Sequence, residues 1–171
     1  IAFPVINIAG IENTHELYQA LQTLDQCQWL VFTSVNGVKE VWKCMNVLGI
    51  KTIPSEVRVA AIGPKTAAAL EERGVRVNFV PDEYIAEAIL PGLGEVKDKR
   101  ILLLRADIAR PDLTVAIQMA GGDAHEIAVY HTLQGSPTEV ERAELEKGVD
   151  VITFTSASTV KNFLDLLHSR N

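Results

Sequence analysis

Apolar residues gather in short, nearly unbroken runs along the chain: WLVF at 29–32, VRVAAI at 57–62, ILLL at 101–104 and VITF at 151–154. Between the runs, apolar side chains recur every three or four positions, as at Val35, Val38, Trp42, Met45 and Leu48. Continuous runs of this length mark strands covered on both faces, and the 3.6-residue spacing marks amphipathic helices. The predicted strands are Val5–Ala9, Trp29–Thr33, Val57–Ile62, Val75–Val80, Arg100–Leu104, Ala124–Thr132 and Asp150–Thr155.

Punctuation falls where helices should begin and end. Asn13-x-x-Glu16 has the form of a capping box, and Pro64 suits the first turn of a helix through TAAALEER that stops at Gly74. Pro111 opens another predicted helix ended by Gly121-Gly122, and Pro137 and Gly148 bracket a further one. Strand–helix alternation of this kind defines the α/β class with a doubly wound parallel sheet, flavodoxin-like in design.

Two stretches break the pattern. AHEIAVYHTL, from Ala124 on, is long and mixed in polarity, and it reads as an exposed connector rather than a core strand. With the stretch at the chain start it is expected to carry the chain into and out of the main domain, the two pairing with each other. The expected organisation is a connector strand at 1–8, a complete α/β domain at 9–127, a connector strand and loop at 128–137, and part of a second, similar domain at 138–171. The strand holding VITF would leave two unpaired edges if isolated, so its neighbours are expected from another copy or from sequence outside this stretch. Ile1 in place of Met is taken as a sign of upstream processing or truncation.

A repeat supports that division. FTSVNGV (Phe32–Val38) and FTSASTV (Phe154–Val160) share Phe-Thr-Ser, three variable residues and valine, each at a predicted strand-to-helix turn.

Charge and composition narrow the function. A net charge of −6 with 22% charged residues argues against a nucleic-acid partner, which would require a basic face. Cys27 and Cys44 form no CxxC and read as reduced thiols of a cytoplasmic protein, while the four histidines form no metal-ligand spacing. No apolar run approaches the ~18 residues of a membrane span.

In a doubly wound sheet, ligands bind at the carboxyl ends of the strands, where helix N-termini point. Three such turns stand out: FTSVNGV, AIGPKTA at 61–67 and LRADIARPD at 104–112. Each offers free backbone N–H groups and a positive helix end, suited to carboxylates or phosphates. Thr33, Ser34, Gly63 and Thr66 are the candidate binding residues, with capping of the helices as the alternative role for Ser34 and Thr66. GPKT lacks the P-loop frame, and neither GxGxxG nor GxSxG occurs.

Taken in order, FTSVNGV, VAAIGPKTAAALEERGV, VP with Ala86-Glu87, ILLLRADIARPDL, AVYHT and FTSASTV resemble the uroporphyrinogen-III synthase family over nearly the whole chain. The resemblance implies two similar α/β domains joined by a two-stranded connector, with the chain starting in one domain, passing through the other and returning. A second IGP.T turn, expected after FTSASTV, does not occur. The implied reaction is cyclisation of hydroxymethylbilane to uroporphyrinogen III with inversion of the last pyrrole ring, without metal or cofactor. The substrate's eight acetate and propionate carboxylates suit the helix-end turns.

By the family's motif, Tyr130 is the candidate general acid, with local packing as its alternative role. Arg105 is expected either on a substrate carboxylate or in an ion pair with Asp107 or Asp112. The repeated turn adds Thr155 and Ser156 to the binding set. The parent enzyme is expected to be a monomer. For this chain the expectation is very low activity and either self-association through 150–168 or poor order there. Two other classes remain: a flavodoxin-like FMN-binding protein, which needs an aromatic beside the flavin ring that the other turns do not supply, and a non-catalytic domain that binds anionic ligands.

Overall fold

Three adjacent parallel strands carry the buried runs. In the computed structural model, which describes residues 1–168, the strands are β1 (Ile6–Gly10), β2 (Trp29–Phe32), β3 (Arg58–Ala61), β4 (Arg100–Ala106) and β5 (Asp123–Gln134), in the sheet order β1-β5-β4-β2-β3. β2 lies parallel to β3 and β4, and β4 lies parallel to β5. The helices are α1 (His15–Gln22), α2 (Val35–Leu48), α3 (Pro64–Glu71), α4 (Ile89–Leu93), α5 (Asp112–Met119), α6 (Glu139–Glu146) and α7 (Ala157–His168).

Alternate residues of each inner strand explain why the runs are continuous. Leu30, Phe32, Leu102 and Leu104 pack with α1, α2 and α3 on one face, while Trp29, Val31, Ile101 and Leu103 pack with α4 and α5 on the other. Each fully buried Leu, Ile, Val or Phe is worth about 1.5–3 kcal/mol, so neither face tolerates a polar interruption. The doubly wound α/β class is the architecture observed.

The chain divides into two units, Gly10–His131 and Ile1–Ala9 with the segment from Thr132 on. The first holds the two cores just described. In the second, Val5, Phe163 and Leu166 form a small core with Phe3, Ile6 and Leu145. There Asn162 Nδ2 donates to the Val5 carbonyl at 3.1 Å, and Gly135 N donates to the same oxygen at 2.9 Å.

Helix boundaries follow the punctuation. Pro64 opens α3, Pro111 precedes α5, and Gly74, Gly121 and Gly148 lie beyond helix ends with positive φ. The entry to α1 departs from a capping box: Thr14 is the N-cap without a side-chain bond, and Asn13 Oδ1 accepts from His15 N at 3.2 Å.

Three strand expectations need correction. Val75–Val80 is not a strand but makes a single bridge, Ala60 to Phe79. The ladder fails because the Asn78 side chain takes the Val59 N–H at 2.8 Å, where a backbone carbonyl would otherwise stand. Asp150–Thr155 forms no strand either; no described strand pairs with it, and Val151 is 77% exposed. Its apolar side chains instead border an open pocket of ≈ 370 Å³ together with Phe3, Val5 and Phe163. β5 is not merely a connector: Asp123–Tyr130 is laddered to β4.

Candidate functional site

Since β2, β3, β4 and β5 are parallel, their carboxyl ends share one edge of the sheet. From β2 the chain builds β3 on one side and later lays β4 on the other, so the strand order reverses between β2 and β4. Such a switch point is where doubly wound sheets open a crevice for ligands.

After β2, half-buried Thr33 leads to Ser34, the N-cap of α2, whose hydroxyl accepts from Gly37 N at 2.9 Å. Ser34 therefore realises the capping role. Gly37 lets the first turn of α2 close on the end of β4, since a Cβ there would lie 3.4 Å from the Leu104 carbonyl oxygen.

After β3, buried Gly63 is the N-cap of α3 and has no hydroxyl to satisfy the helix's first N–H groups. Thr66, in the first turn, is only 4% exposed, and its hydroxyl has no hydrogen-bond partner among the described residues. Thr66 thus caps nothing, unlike Ser34. Among the described residues the buried side-chain polar atom without a partner is Arg105 Nε, so the Thr66 hydroxyl, though on a residue otherwise buried, still faces solvent.

On β4, Arg105 is 4% exposed. Its Nη1 donates to the Arg110 carbonyl at 2.9 Å and to Glu126 Oε2 at 3.2 Å, and its Nε is buried without a partner. Its anionic partner is thus Glu126 of β5, which also takes the Thr114 hydroxyl, and not Asp107 or Asp112. The ion pair spans adjacent strands, a relationship invisible until β4 and β5 are in register. Asp112 is engaged by Arg110 at 3.7 Å, and Arg110 reaches Glu87 at 3.7 Å as well.

Tyr130 owes its direction to an irregularity. The register between β4 and β5 shifts after Arg105, so that Ala128 faces Arg105 while Tyr130 faces Ala106. Val129 is the extra residue of a bulge, and both it and Tyr130 join the core on the α1–α3 face. Bulges commonly re-aim a side chain in this way. Tyr130 is 7% exposed, and its hydroxyl has no hydrogen-bond partner among the described residues. The next residue, His131, holds Asp107 through Nδ1 at 2.7 Å, and Asp107 N donates to the Tyr130 carbonyl at 3.1 Å.

Thr155 and Ser156 belong to the other unit and are exposed. Ser156 precedes α7 and exchanges bonds with Thr159, whose N–H reaches Ser156 Oγ at 3.4 Å and whose hydroxyl reaches the Ser156 carbonyl at 2.6 Å.

One residue at the edge escapes the sequence patterns. The Tyr84 ring lies over the entry to α3, close enough that a Cβ on Gly63 would sit 3.2 Å from it. The expectation that no aromatic stands at the other turns is therefore incorrect. Tyr84 follows β3 by more than twenty residues of mostly irregular chain, so no periodicity points to it. Among the described residues no cluster of His, Cys, Asp and Glu could hold a metal ion, and no helix is long and apolar enough to cross a membrane.

Together these features are those of a doubly wound α/β protein with strand-to-helix turns gathered at the carboxyl edge of its sheet. The family model described as uroporphyrinogen-III synthase HemD matches residues 1–171, and the chain belongs to that family. It is 27% identical over 173 residues to a uroporphyrinogen-III synthase of Synechococcus elongatus, covering 99% of this chain and 66% of that protein. It is 25% identical over 169 residues to the porphyrin biosynthesis protein HemD of Ruminiclostridium josui, covering 96% of this chain and 34% of the relative. The chain thus spans less than two thirds of either relative's length. The fold is also that of a uroporphyrinogen III synthase mutant from Thermus thermophilus, with a TM-score of 0.70 at 22% identity over 96% of this chain and 66% of that one.

Proposed function

We propose that the carboxyl edge of the sheet holds the carboxylates of a linear tetrapyrrole, and that the activity served is uroporphyrinogen-III synthesis from hydroxymethylbilane. The observation that carries the reading is Thr66: a solvent-facing hydroxyl without a protein partner, on an otherwise buried residue in the first turn of a helix whose N-cap is a glycine. A carboxylate at that turn would accept from the Thr66 hydroxyl and the Lys65 N–H, since Pro64 has no N–H and the Thr66 N–H donates to the Gly63 carbonyl at 3.1 Å, and would meet the positive helix end. Membership of the synthase family supports the identity of the polycarboxylate.

Each residue then takes a role its geometry permits. Thr33, the turn at Gly63–Thr66 and the exposed Arg110 bind carboxylates and fold the flexible chain. Arg105, already committed to Glu126, holds the β4–α5 turn in shape. Tyr130 donates its phenolic proton to the departing hydroxide as the C–O bond of the hydroxymethyl group breaks. Water leaves, and the electron pair of the pyrrole nitrogen forms the electrophilic azafulvene. Attack by the substituted carbon of the last ring gives a spiro intermediate; its rearrangement and loss of a ring proton give the inverted product. Holding the reacting ends together supplies about 7–11 kcal/mol in well-oriented cases.

The test is to incubate the chain with hydroxymethylbilane, oxidise the products and separate the isomers by chromatography. Isomer III, with the inverted ring, is expected. Only the symmetric isomer, formed at the rate seen without protein, would overturn the reading.

A further inference from the structure

Gly63 and Tyr84 pose a linked problem. Gly63 has φ −169°, extended backbone that any residue adopts, so its conformation does not call for glycine. Its surroundings do: a Cβ at 63 would lie 3.2 Å, 3.3 Å and 3.7 Å from Cδ1, Cγ and Cβ of Tyr84. The missing side chain lets the ring settle against the start of α3. Yet Tyr84 is 63% exposed, so the contact does little to bury it. An aromatic ring seated on backbone on one side, with most of its surface open, is arranged to receive something.

The segment carrying Tyr84 is anchored on its far side. Glu87, in the 3-10 turn Ala86–Ala88, meets Arg110 of the turn after β4 at 3.7 Å. Ile89, which follows directly, is fully buried in the core on the α4–α5 face. Tyr84 therefore stands between two of the strand-end turns, on a segment held by a buried anchor. Beside it, from Gly63 on, runs the turn of Thr66, whose solvent-facing hydroxyl is without a protein partner. A ligand placed there would meet a hydrogen-bonding turn and an aromatic face together.

We infer that Tyr84 stacks on a pyrrole ring of the bound tetrapyrrole while a carboxylate of that ring occupies the Gly63–Thr66 turn. The inference rests on the polycarboxylate reading above and assigns one subsite within it. An electron-rich pyrrole bearing acidic arms matches an aromatic face beside an anion-binding turn. A flavin phosphate with its ring on Tyr84 is the competing occupant. It fits less well, because the hydroxyl-bearing turn that would take its phosphate, Thr33–Gly37, has its Ser34 hydroxyl committed to the Gly37 N–H.

Uroporphyrin III, a stable coloured octacarboxylate, serves as the probe, titrated into the full chain and followed by its absorption and fluorescence. Tyr84→Phe keeps the ring and should bind within about twofold of the unaltered chain, whereas Tyr84→Ser should bind about tenfold more weakly, as loss of an aromatic pair implies. Gly63→Ala, which pushes the ring outward, should also weaken binding. Because Tyr84 is exposed, the Ser variant should melt as the unaltered chain does, which separates a lost contact from a lost fold. Equal affinity of Tyr84→Ser and the unaltered chain would overturn the Tyr84 subsite and leave the polycarboxylate reading standing. Absence of uroporphyrin binding by the unaltered chain would overturn both. Tighter binding of FMN than of uroporphyrin, lost in Tyr84→Ser, would overturn the pyrrole assignment in favour of a flavin.

Discussion

His131 Nδ1 stands 2.7 Å from Asp107 Oδ2, joining the residue after Tyr130 to the first residue beyond β4. The pair is partly exposed, with 40% and 28% of the two side chains open, so its contribution to stability should be small. His131→Ala is expected to cost less than about 1 kcal/mol in urea unfolding. Its effect on turnover should be larger, because Asp107 also holds the Tyr130 carbonyl through its backbone N–H. A stability loss well beyond that size would make the pair an element of the fold rather than of the site.

Tyr130→Phe removes the phenolic proton and keeps the packed ring. The hydroxyl has no hydrogen-bond partner to lose, so the melting temperature should hold. Turnover of hydroxymethylbilane is expected to fall about 10²–10⁴-fold, the usual worth of general acid assistance, with KM little changed. An unchanged kcat would leave Tyr130 as a packing residue.

Thr66→Val replaces the hydroxyl with a methyl group of the same shape. The hydroxyl has no protein partner to lose and faces solvent, so the variant should be about as stable as the original. Uroporphyrin affinity should drop by about tenfold, the loss of one hydrogen bond to a charged group. Unchanged stability together with weaker binding is the signature expected of a binding hydroxyl; a plain loss of stability would assign Thr66 to the core.

Arg105 and Glu126 should respond unequally. With only 5% of its side chain open, Arg105 would be left as a nearly buried cation in Glu126→Ala, whereas Glu126, 27% open, can be hydrated if Arg105 is removed. Breaking a buried pair costs about 3–5 kcal/mol, and somewhat less is expected here because one partner is partly wet. Arg105→Met, which also relieves the unpartnered Nε, should be the milder change in chemical denaturation.

Burial raises the pKa of the Cys27 thiol above its usual 9.0, with Asp123 and Asp25 adding to the effect and Arg100 opposing it; burial and Glu40 raise that of Cys44 against Lys43. The folded chain therefore keeps thiol protons that the unfolded chain gives up. Stability from this source is complete below the usual thiol value and declines as pH rises through the folded values. Melting temperatures followed from neutral pH to about 10.5 should fall at the alkaline end, and Cys27→Ala should flatten part of that fall.

The fold was legible because double-sided burial leaves a direct trace: WLVF and ILLL had to be central parallel strands, and Pro64, Pro111 and the three glycines marked helix limits. What failed depended on partners. VITF has the composition of a strand, but composition alone supplies no neighbouring edge. VRVNFV reads as a strand until one carboxamide, that of Asn78, takes a ladder position. The site was legible as turns rather than as atoms. Ser34 and Thr66 look alike in sequence, yet one caps its helix and the other does not. The partner of Arg105 and the direction of Tyr130 both depend on the register of β5 and its bulge, which no local pattern encodes.

The Asn78 carboxamide has a meaning for crowded solutions. β3 is the outermost strand on its side, and an edge of this kind ordinarily presents a row of vacant backbone groups on which a foreign strand can grow. Here Val59 N is taken by Asn78 Oδ1, the Val59 carbonyl receives Asn78 N at 2.7 Å, and Ala61 N is taken by the Phe79 carbonyl at 3.0 Å. A second molecule approaching that flank would first have to evict the chain's own residues. Sheet-to-sheet polymerisation is thereby discouraged on this side by two residues, Asn78 and Phe79, one of them through its side-chain amide, at a strand whose one charge is Arg58.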